Sequence, residues 1–336
     1  MRYKVFGYLP GNKFKKTVMT PEDLANGWGF LPGLIQKKTD RTFEVFDKGN
    51  RHITADAIKG YGEHKGDNSL PDILCLQEVE SLETLRTFNR DHLSNHYKYA
   101  VLVDSHDPRL IDVGILSTFP IRSLVTHVDD PYEGELTNQK YLFSRDCLEA
   151  RFDILGKSLT VFVNHLKSQL ATGKTAAEKA KQKLRADTLR KEQAQKVRDI
   201  VRQRFPDDQF GTENFVVLGD FNDTPHSLAT APITKELGMT DVIARLDADQ
   251  QWTHWWDTKN TVSHLDHMLI SPNLADNSQD VPYLERRGLS NKRKKTKLET
   301  KNGIVEIPFD FERFDGVTDK FEASDHCPVF FDLILK

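Results

Sequence analysis

Five short polar motifs carry side chains able to do chemistry together, and each adjoins an apolar, strand-like run. In LCLQEVE, Glu78 closes such a run, where a carboxylate can hold a hard, oxygen-seeking cation such as Mg²⁺; Gln77 and Glu80 are weaker candidates. In VFVNHLKSQ, an imidazole such as that of His165, whose ordinary pKa lies near neutrality, could protonate a leaving oxygen or hydrogen-bond a phosphate, and Asn164, Lys167 and Ser168 beside it suit phosphate oxygens. FVVLGDFNDTP is the most specific of the five. Gly219 permits an unusual turn, and Asp220 and Asn222, two apart on an extended segment, can point the same way. Asp220 can then orient or deprotonate water while the Asn222 amide meets developing charge. In SHLDHMLIS, Asp266 lies between His264 and His267 and can hold a catalytic imidazole in one tautomer. In ASDHCPVFFDL, Asp325 offers a metal ligand and His326 an imidazole with no residue between them. Each motif also has a bland reading, as a surface Glu, a satisfied structural His or an Asx turn capping a strand. The convergence of all five argues for function.

Positioning these groups requires a sheet scaffold with loops at its rim. Strand-like runs recur at Ile73–Leu76, Tyr99–Val103, Val113–Leu116, Leu159–Val163, Phe215–Leu218, His267–Ile270 and Val329–Leu335. FVVL and VFFDLIL are apolar on nearly every residue, which predicts sheets covered on both faces. Helical spacing of Ala186, Leu189, Val197, Ile200 and Val201 predicts an amphipathic helix over 176–205. From Lys174 to Arg204 there are eleven Lys/Arg against four Asp/Glu, so its exposed face could attract a phosphate backbone as well as water. A second basic run, Asn291–Lys297, reads as a surface loop.

The chain has 336 residues, no internal repeat and no long Gly/Pro/Ser linker, and reads as one domain. Its net charge of −3 excludes a generally basic nucleic-acid coat, so polyanion binding must come from local patches. Cys75, Cys147 and Cys327 are far apart among apolar residues, as expected of reduced core thiols. No apolar run approaches the roughly 20 residues of a membrane span, and no secretory signal opens the chain. The expectation is a cytoplasmic protein with no membrane association, or a secreted one should the true start lie upstream.

In order and surroundings, QE, NH, GDFN, LD and SDH resemble the endonuclease/exonuclease/phosphatase family, in particular its deoxyribonuclease-I-like, exonuclease-III-like and bacterial nuclease-like branches. The resemblance covers residues 71–336 and leaves 1–70 divergent. It implies an α/β fold, a four-layer sandwich of two stacked mixed β-sheets flanked by helices. By the same resemblance Glu78 is the metal-binding glutamate and Asp220 with Asn222 the water-orienting pair. Asp325 is the carboxylate near the metal, His326 the histidine at the scissile phosphate with Asp266 as its partner, and His165 the second histidine. LFSRDCLEA resembles a segment whose arginine contacts substrate phosphate, which makes Arg145 a phosphate clamp or a structural ion pair; Asn164 and Lys167 join the phosphate-binding set.

The implied activity is hydrolysis of a phosphodiester in DNA or RNA dependent on Mg²⁺, with Mn²⁺ or Ca²⁺ as alternatives, by a monomer without an obligate protein partner. Two other readings stand beside it: a phosphatase or phospholipase-like hydrolase of a small phosphorylated molecule, and a silent polyanion-binding scaffold. The chain departs from the family at its beginning. An opening apolar strand ending in N-x-x-N-L is missing, and neither Asn12 nor Asn26 has that context. The fold is therefore expected to lack the family's first strand.

Overall fold

The structure, a computed structural model, describes residues 3–9, 13–19, 35–37, 43–45, 48–107, 109, 111–290, 293–300, 303–318 and 321–336. Asn12, Asn26, Asn291 and Lys292 lie outside them. Strands β1 (Tyr3–Leu9), β2 (Lys13–Met19), β3 (Ile35–Lys37) and β4 (Phe43–Val45) pair only among themselves, in the order β2-β1-β3-β4. Among the described residues none of them joins the sheets that follow.

After helix α1 (Lys48–Lys65), strand β5 (Ile73–Val79), helix α2 (Leu82–His92) and strands β6 (Tyr99–Leu102) and β7 (Asp112–Ser117) form a three-stranded sheet in the order β5-β7-β6. A larger sheet follows from β8 (Ile121–Val125), β9 (Cys147–Ile154), β10 (Lys157–His165), β11 (Phe215–Asp220), β12 (Thr240–Asp241) and β15 (Asp266–Ile270), in the order β12-β15-β11-β10-β9-β8. Val113 and Ile115 of the first sheet pack with Leu148, Ala150, Val161, Val163 and Val216 of the second, so the sheets lie face to face. Leu85, Phe88 and Ile58 cover the outer face of the small sheet. The outer face of the large one is covered by helix α3 (Ala176–Arg204), through Leu189, Ala194, Val197 and Val201. Helix, sheet, sheet, helix is the expected four-layer order, and burial on both faces explains the continuous apolar runs.

Helix α3 begins at a capping box: the Glu178 amide donates to Thr175 Oγ1 at 3.1 Å while Glu178 Oε2 accepts from the Thr175 amide at 3.1 Å. Two polar residues on its buried face tie it to the loops of the site. Gln193 Oε1 accepts from the Lys167 amide at 2.8 Å and its amide nitrogen donates to the Leu142 carbonyl. Arg190, with a fully buried side chain, donates to Asp223 Oδ2 at 2.9 and 2.7 Å, to Asp187 Oδ1 at 2.6 Å and to the Lys167 carbonyl at 2.8 Å. A residue counted as part of a solvated basic face is a structural pin.

Two expectations need correction. The basic run is not a loop throughout: Lys295 to Lys297 open β17 (Lys295–Thr300), which pairs antiparallel with β18 (Gly303–Pro308) and, through β14 (Thr261–Ser263), extends the sheet begun by β13 (His254–Trp256). VFFDLIL is a strand only at β19 (Val329–Phe330), paired with β16 (Tyr283–Leu284). Phe331, Leu333 and Leu335 still pack into the space between the sheets, but no neighbouring edge among the described residues extends their pairing. On its side away from β7, β5 likewise has no partner among the described residues. The two free edges border one cleft of about 1440 Å³, walled by Leu74, Leu76, Leu159, Val161, Val216 and Leu218, and its polar end is the candidate site.

Candidate active site

The ladder of the large sheet assembles the first three groups. Strands β10 and β11 run parallel with His165 opposite Asp220, and β15 runs antiparallel with Asp266 opposite Asp220. Residues paired across a sheet share a face, so His165, Asp220 and Asp266 project together into the cleft. The next row, Asn164, Gly219 and His267, faces the other way. Gly219 has φ of +129°, and a Cβ there would stand 1.9 Å from the Asn164 carbonyl oxygen, so only glycine lets the two strands close at the rim.

Asp220 is buried beside His165, whose Nε2 is 3.4 Å from Asp220 Oδ2. Asn222, in the left-handed region at φ +54°, folds back on it. Its amide donates to Asp220 Oδ1 at 2.7 Å and its side-chain nitrogen to Oδ2 at 2.8 Å and to the Leu166 carbonyl at 3.1 Å. Asp266 is held by Thr253, whose hydroxyl oxygen accepts the Leu265 and Asp266 amides, and it accepts from His326 Nδ1 at 2.8 Å. His326 comes from the far end of the chain through a bridge to His254. The His254 ring lies 4.7 Å from the His326 ring, and its Nε2 is 3.9 Å from Asp325 Oδ2.

Burial, reinforced by the Asp266 charge, pushes the Asp220 carboxyl up to about 7 against the pull of His326, the Asn222 amide and Arg145. Burial alone would lower His326, but Asp266, Asp220 and Asp325 outweigh it and hold the ring charged well above the usual histidine range. Burial with Arg145, His326 and Arg109 nearby drives His165 well below that range and keeps it neutral. The site therefore holds an acid, His326, against a carboxylate poised near neutrality. Since the folded state favours protonated Asp220, its ionisation costs stability as pH rises from the unfolded value of 3.8 through about 7. Asp220→Asn is expected to match wild type in EDTA near pH 4. By pH 9 it should gain on the order of a few kcal/mol, read as the difference in thermal midpoint between the two proteins across pH. A constant difference would contradict the raised pKa.

Two overlapping groups could hold a cation: Asp220, Asp266 and His326, and His254, Asp325 and His326, each with ligand atoms within 4.8 Å of one another. Asp220 and Asp266 repel one another at close range, and an ion between them would relieve that cost. Carboxylate oxygens predominate in the first group, which suits a hard divalent ion. Glu78 belongs to neither group, although it lines the same cleft at φ +57° on a bulge between Leu76 and Val79.

The proposed phosphate contacts are rearranged. Arg145 is buried, donating to Asp107 Oδ2 at 3.1 Å, to the His165 carbonyl at 3.2 Å and to the Leu166 carbonyl, so it braces the NH loop from behind instead of lining the cleft. Asn164 is buried and donates to the Phe162 carbonyl at 3.0 Å. Lys167 is half-buried with its main chain held by α3, and neither it nor Asn164 forms part of the cleft wall. A cation on the wall is Arg109, paired with Asp107 at 3.1 Å and 37% exposed, which no motif marked. His254 and Thr253 were also missed. Cys75, Cys147 and Cys327 are free thiols, as read from the sequence. No described helix is long and apolar enough to cross a membrane.

A family model described as the endonuclease/exonuclease/phosphatase family matches residues 48–326, so the match begins with α1, upstream of Pro71. No curated protein matches the chain. Among solved structures, SmcL is similar with a TM-score of 0.51 at 15% identity, covering 84% of this chain and 92% of that one. A Staphylococcus aureus beta toxin mutant with bound magnesium ions gives 0.50 at 16%, covering 83% and 91%. The human nocturnin catalytic domain with bound sulfate gives 0.50 at 16%, covering 86% and 89%. At such identities these likenesses establish the fold.

Proposed function

The chain belongs to the endonuclease/exonuclease/phosphatase family, and from that premise we propose that it is a divalent-metal-dependent phosphodiesterase that cuts nucleic acid. The observation that carries this reading is the convergence of His165, Asp220, Asp266 and His326 on one cleft from four separate segments. A phosphodiester resists attack because it is anionic, so its cleavage needs an aimed water, positive charge at the phosphoryl oxygens and a proton for the leaving oxygen. Asp220, fixed through both oxygens by Asn222, orients the water and takes its proton. Protonated His326, held by Asp266, faces the phosphate with its other ring nitrogen. Neutral His165 donates a hydrogen bond beside them. Asp266 and Asp325, with Glu78 lining the same cleft, would hold Mg²⁺, whose chemistry when bound is charge neutralisation at the phosphoryl group.

A polynucleotide is favoured over a small phosphoester by the wall away from these groups. Half-buried Trp256, with Lys259 Nζ 3.6 Å from its ring centroid, stands with Arg109 along the cleft, a ring and two cations able to meet a base and neighbouring phosphates. The test is turnover of single- and double-stranded DNA, RNA and a soluble phosphomonoester with EDTA or Mg²⁺. Mg²⁺-dependent cleavage of a polymer without phosphate release from the monoester is expected. Preferential hydrolysis of the monoester would replace this reading with that of a phosphatase, and metal-independent binding without cleavage would leave the scaffold reading.

A further inference from the structure

Around His267, which β15 turns away from Asp266, lies a second cluster that shares no residue with the catalytic groups. Asp241 Oδ2 lies 2.9 Å from His267 Nδ1 and 3.5 Å from His264 Nε2, the three ligand atoms lie within 4.8 Å of one another, and the two rings stack at 4.4 Å. His264 is only 7% exposed, and among the described residues neither of its ring nitrogens meets a hydrogen-bond partner. A buried imidazole with no hydrogen bond at either nitrogen is unusual in a folded protein and calls for an explanation. His267 supplies an independent sign. Its Nε2 lies 3.0 Å from the Asp223 carbonyl, which can only accept, so Nε2 carries the proton. That leaves Nδ1 to face Asp241, the arrangement in which a histidine binds a metal through one nitrogen and is oriented through the other. Separations of 2.9 and 3.5 Å bracket the roughly 3.3 Å expected between ligand atoms of a tetrahedral ion with bonds of about 2.0–2.1 Å. The Asp241 side chain keeps 13% of its surface exposed.

We propose that Asp241, His264 and His267 form a second metal site, taking a borderline ion such as Zn²⁺ through two imidazole nitrogens and one carboxylate oxygen, with water completing the shell. Its donor set differs from that of the cleft, where carboxylates favour a hard ion. On binding, the proton shared between His267 Nδ1 and Asp241 leaves to solvent, and the ion joins β12, β15 and the Asp223 turn at one point.

The test adds Zn²⁺ alone to the full chain after EDTA treatment and dialysis, and reads bound zinc by equilibrium dialysis together with the thermal midpoint. His326→Ala removes the imidazole common to both clusters in the cleft. This variant should still bind one zinc per chain and gain thermal stability from it. His264→Phe keeps a ring stacked on His267 but has no ligand atom, and should bind that zinc at least about tenfold more weakly. Should His264→Phe fail to fold, His264→Gln is read in the same way. Cobalt in place of zinc should give visible absorption bands in His326→Ala and not in the His264 variant. Loss of zinc binding in His326→Ala, or undiminished binding in the His264 variant, would overturn the proposal, as would absence of zinc binding by the wild type.

Discussion

Replacing His326 with alanine is expected to lower kcat for phosphodiester cleavage by about 10²–10⁴-fold and to lower the thermal midpoint as well. The size of the loss is that of a general acid or charge-stabilising donor at the reacting centre. The cost to stability follows from position, since the Asp266 carboxylate that pairs with the charged ring is only 15% exposed and loses its charged partner, keeping the Thr253 hydroxyl. Asp266→Asn separates the roles of the pair. Without the charge that holds His326 protonated, the alkaline limb of the kcat/KM profile should move to lower pH, because the ring then loses its proton earlier. A His326→Ala enzyme retaining more than about a tenth of wild-type turnover, far above the expected range, would remove this histidine from the mechanism.

Arg190→Met is expected to be the most damaging change away from the cleft. The guanidinium is fully buried between two loops that each carry part of the site, and its removal leaves the Asp223 carboxylate, 13% exposed, without its partner. Breaking a buried pair in this way costs about 3–5 kcal/mol, which at about 2.1 cal/mol/K of unfolding entropy per residue lowers the midpoint of a 336-residue chain by roughly 4–7 °C. Asp223→Asn in the same chain should recover part of the loss, because the stranded charge goes with it. A midpoint shift below about 1 °C, less than one kcal/mol of stability is worth here, would show that α3 does not pin the loops.

Polar residues closing apolar runs made the catalytic strand ends legible in the sequence, and strand alternation in the structure explains their shared face. Asp220 and Asp266 lie at the ends of apolar runs, and the register of three adjacent strands puts them with His165 on one face. The same alternation shows why Asn164 was misplaced. Next to His165 on a strand, it must face the opposite way, and motif adjacency was read as spatial adjacency. Arg145 takes up the structural ion pair that stood beside the phosphate clamp, and Arg190 was counted with an exposed basic face, since nothing local tells a solvated cation from one whose acidic and carbonyl partners arrive from distant segments. His254 sits in an aromatic run, WTHWW, and acquires its role only through a long-range bridge to His326. The four layers were readable from doubly apolar runs, but the length of the last strand was not, because a strand exists only where another edge meets it.

The free edges of β5 and β19 have a consequence for the protein in solution. Main-chain donors and acceptors that look across an apolar slot and pair with no neighbouring strand among the described residues behave as an adhesive seam. Any extended peptide could zip into it, including one from another copy of this chain. Colloidal behaviour at high concentration should then follow this seam more than the modest −3 charge, with turbidity rising on warming and falling when a short, soluble, strand-forming peptide is added.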